Sequence, residues 1–252
     1  SFLLINNGKG AFENQLAALA PQLTRIGMVT DAKWIDLNKD SYEDLIVIGE
    51  FMPVEVFINE SGKKLTLATG EVIGASLSGF WSKMTVGDFD KDGDNDVVVG
   101  NFGLNSQLKA GESEPLNLVY SDFDKNGSVD PMLTCYIEGK PFPFASRDEL
   151  LDQIYAMRSK FTSYESYSNA QLENIFPKQE LHNAKAWKAT TLETAYLENR
   201  NGKLIRKYLP KEIQFSPVYA MAQMDYNADG NMDLIVCGNQ SSIRIRMGVI
   251  DA

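Results

Sequence analysis

Four nine-residue acidic segments recur along this chain, and they constrain its fold more than any other feature. They are Asp36-Leu-Asn-Lys-Asp-Ser-Tyr-Glu-Asp44, Asp88-Phe-Asp-Lys-Asp-Gly-Asp-Asn-Asp96, Asp122-Phe-Asp-Lys-Asn-Gly-Ser-Val-Asp130 and Asp225-Tyr-Asn-Ala-Asp-Gly-Asn-Met-Asp233. Each is entered through a short, mostly apolar stretch such as Lys33-Trp34-Ile35 or Met84-Thr85-Val86. Three run straight into an apolar block that ends in glycine: Leu45-Ile-Val-Ile-Gly49, Val97-Val-Val-Gly100 and Leu234-Ile-Val-Cys-Gly238. The third instead meets Pro131 before Met132-Leu-Thr-Cys-Tyr-Ile137. Short Val- and Ile-rich blocks bounded by glycine favour buried strands over helices. The unit is therefore strand, acidic loop, strand, and its recurrence points to a repeat architecture.

Further strand candidates lie between these units: Val54–Ile58, Lys64–Leu67, Thr194–Leu197 and Lys203–Arg206. Asn59-Glu-Ser-Gly62 and Asn199-Arg-Asn-Gly202 are matching hairpin turns that supply positive-φ positions, and Asn6-Asn-Gly-Lys-Gly10 resembles them. The loops start 52, 34 and 103 residues apart, and the first gap suits a four-stranded propeller blade. The expected fold class is all-β, a partial or small β-propeller of four-stranded blades spanning residues 1–252. One region breaks the pattern. Ser146-Arg-Asp-Glu149 is a capping-box signature ahead of helically spaced Leu150, Leu151, Ile154, Tyr155 and Phe161. A second start is read at Ser168, with Gln171 three residues on and a stop at Pro177. Residues of about 146–185 are thus expected to form a helical insertion. At the ends, Phe2–Ile5 with its turn looks like an outer hairpin, and the strands around the last loop look like an inner pair. The expectation is that they complete one blade together within the molecule.

Calcium takes six to eight oxygen ligands from carboxylates, amides, backbone carbonyls and water. Side-chain oxygens at loop positions 1, 3, 5 and 9, with a backbone carbonyl at position 7, can wrap such an ion. The candidate ligands are Asp36, Asn38, Asp40, Tyr42 and Asp44 in the first loop, and Asp88, Asp90, Asp92, Asp94 and Asp96 in the second. The third offers Asp122, Asp124, Asn126, Ser128 and Asp130, and the fourth Asp225, Asn227, Asp229, Asn231 and Asp233. Up to four Ca²⁺ are expected. Position 6 is glycine in three loops and Ser41 in the first. An EF-hand is excluded, because it needs a Glu at position 12 and a following helix. Position 12 here is Val47, Val99, Leu133 and Val236. Asp, Asn and Gly also make soluble turns without any metal, but four copies in register, each with Asp ninth, argue for a site.

Strand, D-x-D-x-D-G-x-x-D loop, apolar strand and glycine together resemble the FG-GAP and VCBS repeats of integrin α-subunits and bacterial surface propellers. Gly79-Phe-Trp81 through Asn101-Phe-Gly103, and Pro143-Phe-Ala-Ser-Arg147, look like the bacterial proteins related to cartilage acidic protein. The resemblance implies extracytoplasmic propellers, secreted, periplasmic or on the cell surface, whose loops hold structural Ca²⁺. It implies ligands at the positions named above, with Ser41, the Asn substitutions and the helical insertion as departures.

The net charge of −10 argues against nucleic acid, which needs basic patches. Thirteen of the 34 acidic residues occupy positions 1, 3, 5 and 9 of the loops, so part of that charge belongs to metal sites. No run of 18 apolar residues occurs, so no membrane span is expected. Enzyme chemistry has little to rest on. His182 is the only histidine, and no GxSxG, P-loop or GxGxxG arrangement appears. The favoured reading is a module that binds a protein or glycan ligand in adhesion. The alternative is a catalytic or non-catalytic part of a polysaccharide-degrading surface protein. Trp81, Trp187, Tyr164 and Tyr167 are candidates for sugar contact, with core packing expected of both tryptophans. Cys135 and Cys237 read as free thiols in apolar runs.

Overall fold

The computed structural model describes residues 1–74, 76–240 and 250. It has two compact units, one formed by Ser1–Gln107 with Leu192–Ala252 and the other by Leu108–Thr191. The first unit opens with a hairpin of β1 (Leu4–Asn6) and β2 (Phe12–Asn14), followed by the short helix α1 (Leu16–Leu19). Next come β3 (Met28–Ile35), β4 (Asp44–Pro53), β5 (Glu55–Asn59) and β6 (Leu65–Leu67), an antiparallel meander in that order. After α2 (Thr69–Val72), the short β7 (Ser78–Phe80) pairs with the far end of β4. Strands β8 (Lys83–Gly87) and β9 (Asp96–Gly100) then begin a second sheet.

The chain leaves that sheet half built and forms the second unit. There β10 (Leu116–Ser121), β11 (Asp130–Ile137), β12 (Lys140–Pro143) and β13 (Lys185–Ala189) pair in the order β12-β11-β10-β13. Between β12 and β13 lie α3 (Arg147–Gln153), α4 (Tyr164–Ser168), α5 (Leu172–Ile175) and α6 (Lys178–Asn183). Back in the first unit, β14 (Ala195–Asn199) pairs with β9 and β15 (Leu204–Lys207) with β14, giving a second four-stranded meander, β8-β9-β14-β15. A two-stranded sheet of β16 (Ala220–Met224) and β17 (Asp233–Cys237) follows. The short 34-residue step between the second and third loops thus reflects a unit inserted between the second and third strands of a sheet.

Alternation along β4 sets the core. Ile46 and Ile48 join Ile35 and Val56 on one face, against Val97, Val99, Leu197 and Leu204 of the second sheet. Leu45 and Val47 share the other face with Phe57 and Leu65, where Leu16, Ala20 and Leu23 cover them. A strand buried on both faces reads as a continuous apolar run, which is why Leu45–Ile48 carries no polar residue. In the second unit the helices pack Leu150, Ile154, Phe161, Ile175 and Phe176 with Phe123 and Met132. The rings of Phe123 and Phe176 stack at 3.9 Å.

The chain is mostly β with few helices, as the all-β expectation holds. No closed ring forms among the described residues, and the two ends do not share a sheet. Leu4 pairs with Asn14, and Val236 with Met221. The reason is that each end is held elsewhere. Leu3 packs with the core around Leu16 and Leu45, while Gln223 of β16 donates from Nε2 to the Val86 carbonyl of β8 at 2.8 Å. Ser146 caps α3 with both halves of the expected box in place. The second start moves, because Ser168 ends α4, donating its hydroxyl to the Glu165 carbonyl. Gln171 caps α5 instead, paired with Asn174.

Ile46 is fully buried between the two sheets. Ile46→Ala is expected to lower unfolding free energy by about 2–5 kcal/mol, read as a lower denaturation midpoint at constant m.

Candidate metal centres

The four acidic loops share one backbone conformation, although their sequences differ. Position 4 is left-handed in all of them: Lys39 (φ 59), Lys91 (φ 62), Lys125 (φ 61) and Ala228 (φ 57). Position 6 is left-handed too, at Ser41 (φ 69), Gly93 (φ 84), Gly127 (φ 89) and Gly230 (φ 82). A Cβ is disfavoured in that region, which explains glycine at position 6 in three loops. Two left-handed residues one apart curl the segment tightly enough to turn its odd-numbered side chains inward.

Backbone N–H groups hold those side chains in place. The position 1 carboxylate accepts from position 6 in every loop: Ser41 to Asp36, Gly93 to Asp88, Gly127 to Asp122 and Gly230 to Asp225. Position 3 accepts from position 5, and position 5 from position 7, again four times. In three loops the second oxygen of position 1 also accepts the position 5 N–H, as Asp36 does from Asp40. The second loop breaks this rule. Asp88 Oδ1 is buried there with no hydrogen-bond partner, and Asp94 Oδ1 is another such atom. A buried carboxylate oxygen without a donor is costly unless a cation answers it.

The ninth residue does different work. Its Oδ2 accepts the position 2 N–H in all four loops: Leu37 to Asp44, Phe89 to Asp96, Phe123 to Asp130 and Tyr226 to Asp233. Its Oδ1 reaches the outer hairpin in the two four-stranded meanders. Asn59 donates its N–H to Asp44 at 2.7 Å, and Asn199 to Asp96 at 2.8 Å. The Tyr196 hydroxyl adds a third donor to Asp96. Asp44 and Asp96 are fully buried. Burial pushes the Asp44 carboxyl above the usual range against the N–H groups of Asn59 and Leu37. Burial, then the hydrogen bond to Asp96, pushes the Tyr196 phenol well up.

Carboxylate oxygens of Asp88, Asp90 and Asp92 lie within 4.8 Å of one another, as do those of Asp122, Asp124 and Asp130. These two sets can close on one ion with few further ligands. In the first and fourth loops an amide stands at position 3. Asn38 Nδ2 donates to Asp40, and Asn227 Nδ2 to Asp229, so each amide is tied to its neighbouring carboxylate. The third loop has the same tie from Asn126 to Asp124. Tyr42, Asp94, Ser128 and Asn231 occupy position 7, where each donates its own N–H back to position 5.

Position 4 links neighbouring loops within the first unit. Lys39 of the first loop lies 3.8 Å from Asp94 of the second. Lys91 of the second loop acts on Asp229 of the fourth, whose carboxyl is held down first by the Asn231 N–H. Sequence reading missed this lysine row and the left-handed fourth position. It also missed that Asn59 and Asn199 clamp the ninth aspartate, although the matching Asn-x-x-Gly turns were the signal. Trp81 is fully buried in the core, as expected, and Trp187 packs against Tyr120 at 5.0 Å. His182 is exposed, and neither Cys135 nor Cys237 is in a disulfide. No helix among the described residues is long and apolar enough to cross a membrane.

Residues 36–99 match the family model of the FG-GAP-like repeat. The match spans the first two acidic loops and the strands between them, where the resemblance was read from the sequence. No curated protein matches the chain.

The two roles of the loop aspartates separate by mutation. Asp96→Ala strands the N–H groups of Phe89 and Asn199 and the Tyr196 hydroxyl, and should cost about 3 kcal/mol with or without divalent ions. Asp92→Ala should leave stability in EDTA nearly unchanged and act only when a divalent cation is added. Denaturant titrations of both variants in EDTA and in calcium check this.

Proposed function

We propose that this chain is an extracytoplasmic calcium-binding module of the β-propeller type, whose ions are structural and whose role is adhesion to a protein or glycan partner. The observation that carries the metal reading is Asp88 Oδ1, buried without a donor in the second loop, whereas the same position accepts the position 5 N–H in the other three loops. The donor set is all oxygen, which suits a hard cation such as Ca²⁺ and gives zinc no thiolate or imidazole. Asp88, Asp90, Asp92 and Asp96 would hold the ion in the second loop with the Asp94 carbonyl, and the corresponding residues would do so in the others.

The propeller reading is supported by two four-stranded antiparallel meanders packed face to face, each with its acidic loop between its first and second strands. The FG-GAP-like match over residues 36–99 points the same way. The extracytoplasmic reading is supported by the kind of loop, since extracellular calcium modules bind with dissociation constants of about 0.1–1 mM. Exposed aromatic side chains, Tyr155 and Tyr164 in the second unit and Tyr208 in the first, supply the contact chemistry that protein and glycan partners use. The acidic side chains gathered in the loops favour a binding role over a catalytic one. A glycan array and a protein pull-down, both in millimolar calcium and repeated in EDTA, test the adhesive role.

Calcium should raise the melting temperature, with each filled site contributing about 2.7 kcal/mol at one hundred times its dissociation constant. Equal melting temperatures in EDTA and in millimolar Ca²⁺ would refute the reading. The second loop should bind most tightly, since it has four carboxylates at positions 1, 3, 5 and 9 where the others have three. Calorimetry of Asp92→Ala should therefore lack the highest-affinity phase, and Asp40→Ala should retain it.

A further inference from the structure

The helical segment of the second unit carries a polar cavity that the acidic loops do not use. Its volume is about 410 Å³, and it is lined by Arg147, Asp148, Leu151, Asp152 and Arg158. Asp148, Leu151 and Asp152 stand three and four residues apart on α3, so they share one face of that helix. Arg158 comes from the 3₁₀ turn Tyr155–Arg158 that follows. Leu151 is buried, and Asp148, Asp152 and Arg158 are exposed.

Hydrogen bonds and ring contacts hold these side chains in place. Arg147 donates from Nε to the Phe161 carbonyl at 2.9 Å and from Nη1 to Asp148 at 2.8 Å. The Tyr164 hydroxyl donates to the other oxygen of Asp148. Arg158 donates from Nη2 to Asp152 Oδ1 at 3.2 Å. Each guanidinium also lies over a tyrosine ring, Arg147 at 5.4 Å from the centroid of Tyr164 and Arg158 at 5.1 Å from that of Tyr155. Both rings remain open to a partner, Tyr155 being 76% and Tyr164 64% exposed.

Charge and hydrogen-bonding capacity together narrow the ligand. Two guanidinium groups face two carboxylates in the lining, so no net charge draws a phosphate, a sulfate or a cation. Arg158 Nε and Nη1 and Asp152 Oδ2 have no hydrogen-bond partner among the described residues, which leaves donors and an acceptor side by side. A hydroxyl group both donates and accepts, and adjacent hydroxyls on one ring match that pair without carrying charge. The core of a protein interface is instead depleted in aspartate. The volume falls within the range of small-ligand sites, about 300–1,000 Å³, and the exposed rings offer an apolar surface to the C–H face of a sugar.

We propose that this cavity binds a neutral sugar unit of a glycan, with hydroxyls held between Arg158 and Asp152 and a C–H face against Tyr155. Such a site rests on the adhesive reading above and gives it a chemical class, a neutral glycan, and a place, the second unit.

Biolayer interferometry of the full chain in millimolar calcium tests it, on immobilised dextran, mannan, galactan and β-glucan and on the anionic dextran sulfate and polygalacturonate. At least one neutral polymer should bind, and should stay bound in about 0.5 M NaCl, where attraction between exposed charges is screened. Tyr155→Ala and Arg158→Ala should each weaken that binding about tenfold or more. Tyr208→Ala, an exposed tyrosine of the first unit, should leave it unchanged. Both altered second-unit positions are exposed, so circular dichroism and melting temperature should match the unaltered chain. Binding to the anionic polymers alone, lost at the higher salt, overturns the proposal. So does binding to none of the polymers, or neutral binding that Tyr155→Ala and Arg158→Ala both retain. A protein pull-down from the same preparation separates the two readings. A captured protein with no glycan bound refutes the neutral-glycan site alone, and binding to neither refutes the adhesive reading with it.

Discussion

The structure depends on the aspartate that closes each acidic loop, buried in three of the four repeats. With one oxygen it takes the N–H of the loop's second residue and so fixes the loop's mouth. In the two complete meanders its other oxygen takes an asparagine N–H from the outer hairpin. A single residue therefore ties the inner strands, the loop and the outer strands together. Asparagine serves on the other side because its own Oδ1 caps the turn, accepting from Gly62 or Gly202, while its Nδ2 donates to a loop carbonyl, Glu43 of its own repeat for Asn59 and Leu37 of the neighbouring repeat for Asn199. Charge-assisted bonds to backbone N–H groups keep a fully buried Asp44 or Asp96 tolerable.

That arrangement divides labour within nine residues. The ninth aspartate builds the sheet, and in the third loop it also stands beside Asp122 and Asp124, while positions 1, 3 and 5 are held by N–H groups of the loop itself. Exchanging Asp for Asn at positions 3 and 5, as three of the loops do, changes the charge gathered in the loop without touching the bonds of the ninth residue to the strands. The lysine at position 4 reaches out of its own loop toward the next, from Lys39 to Asp94 and from Lys91 toward Asp229. The loop carboxylates are thereby partly neutralised by a neighbouring repeat.

Much of this was legible in the sequence, because it rests on local and periodic signals. The loops, their flanking strands, the matching Asn-x-x-Gly turns and the Ser146 cap all follow from spacing and turn chemistry. What escaped was long-range. Val97 pairs with Leu197 across the whole inserted unit, and no periodicity links residues so far apart. The expected joining of Phe2–Ile5 to the last repeat failed for the same reason, since pairing propensity names a strand but not its neighbour. The left-handed lysines at position 4 were hidden too. Lysine rarely takes that conformation, and only the hydrogen bonds around it hold it there.

The interruption of the second sheet has a consequence for how the chain is made. Strand β9 emerges with its partner β14 still about one hundred residues away, and at about 5–20 residues per second that interval lasts about 5–20 s. Through it, the edge of Val97–Gly100 has nothing of its own sheet to pair with, although its side chains are among the most apolar in the protein. The inserted residues form their own compact unit in the meantime. The order of synthesis thus makes the second sheet the last of the two meanders to close, and its open strand the point at which a nascent chain is most exposed to the wrong partner.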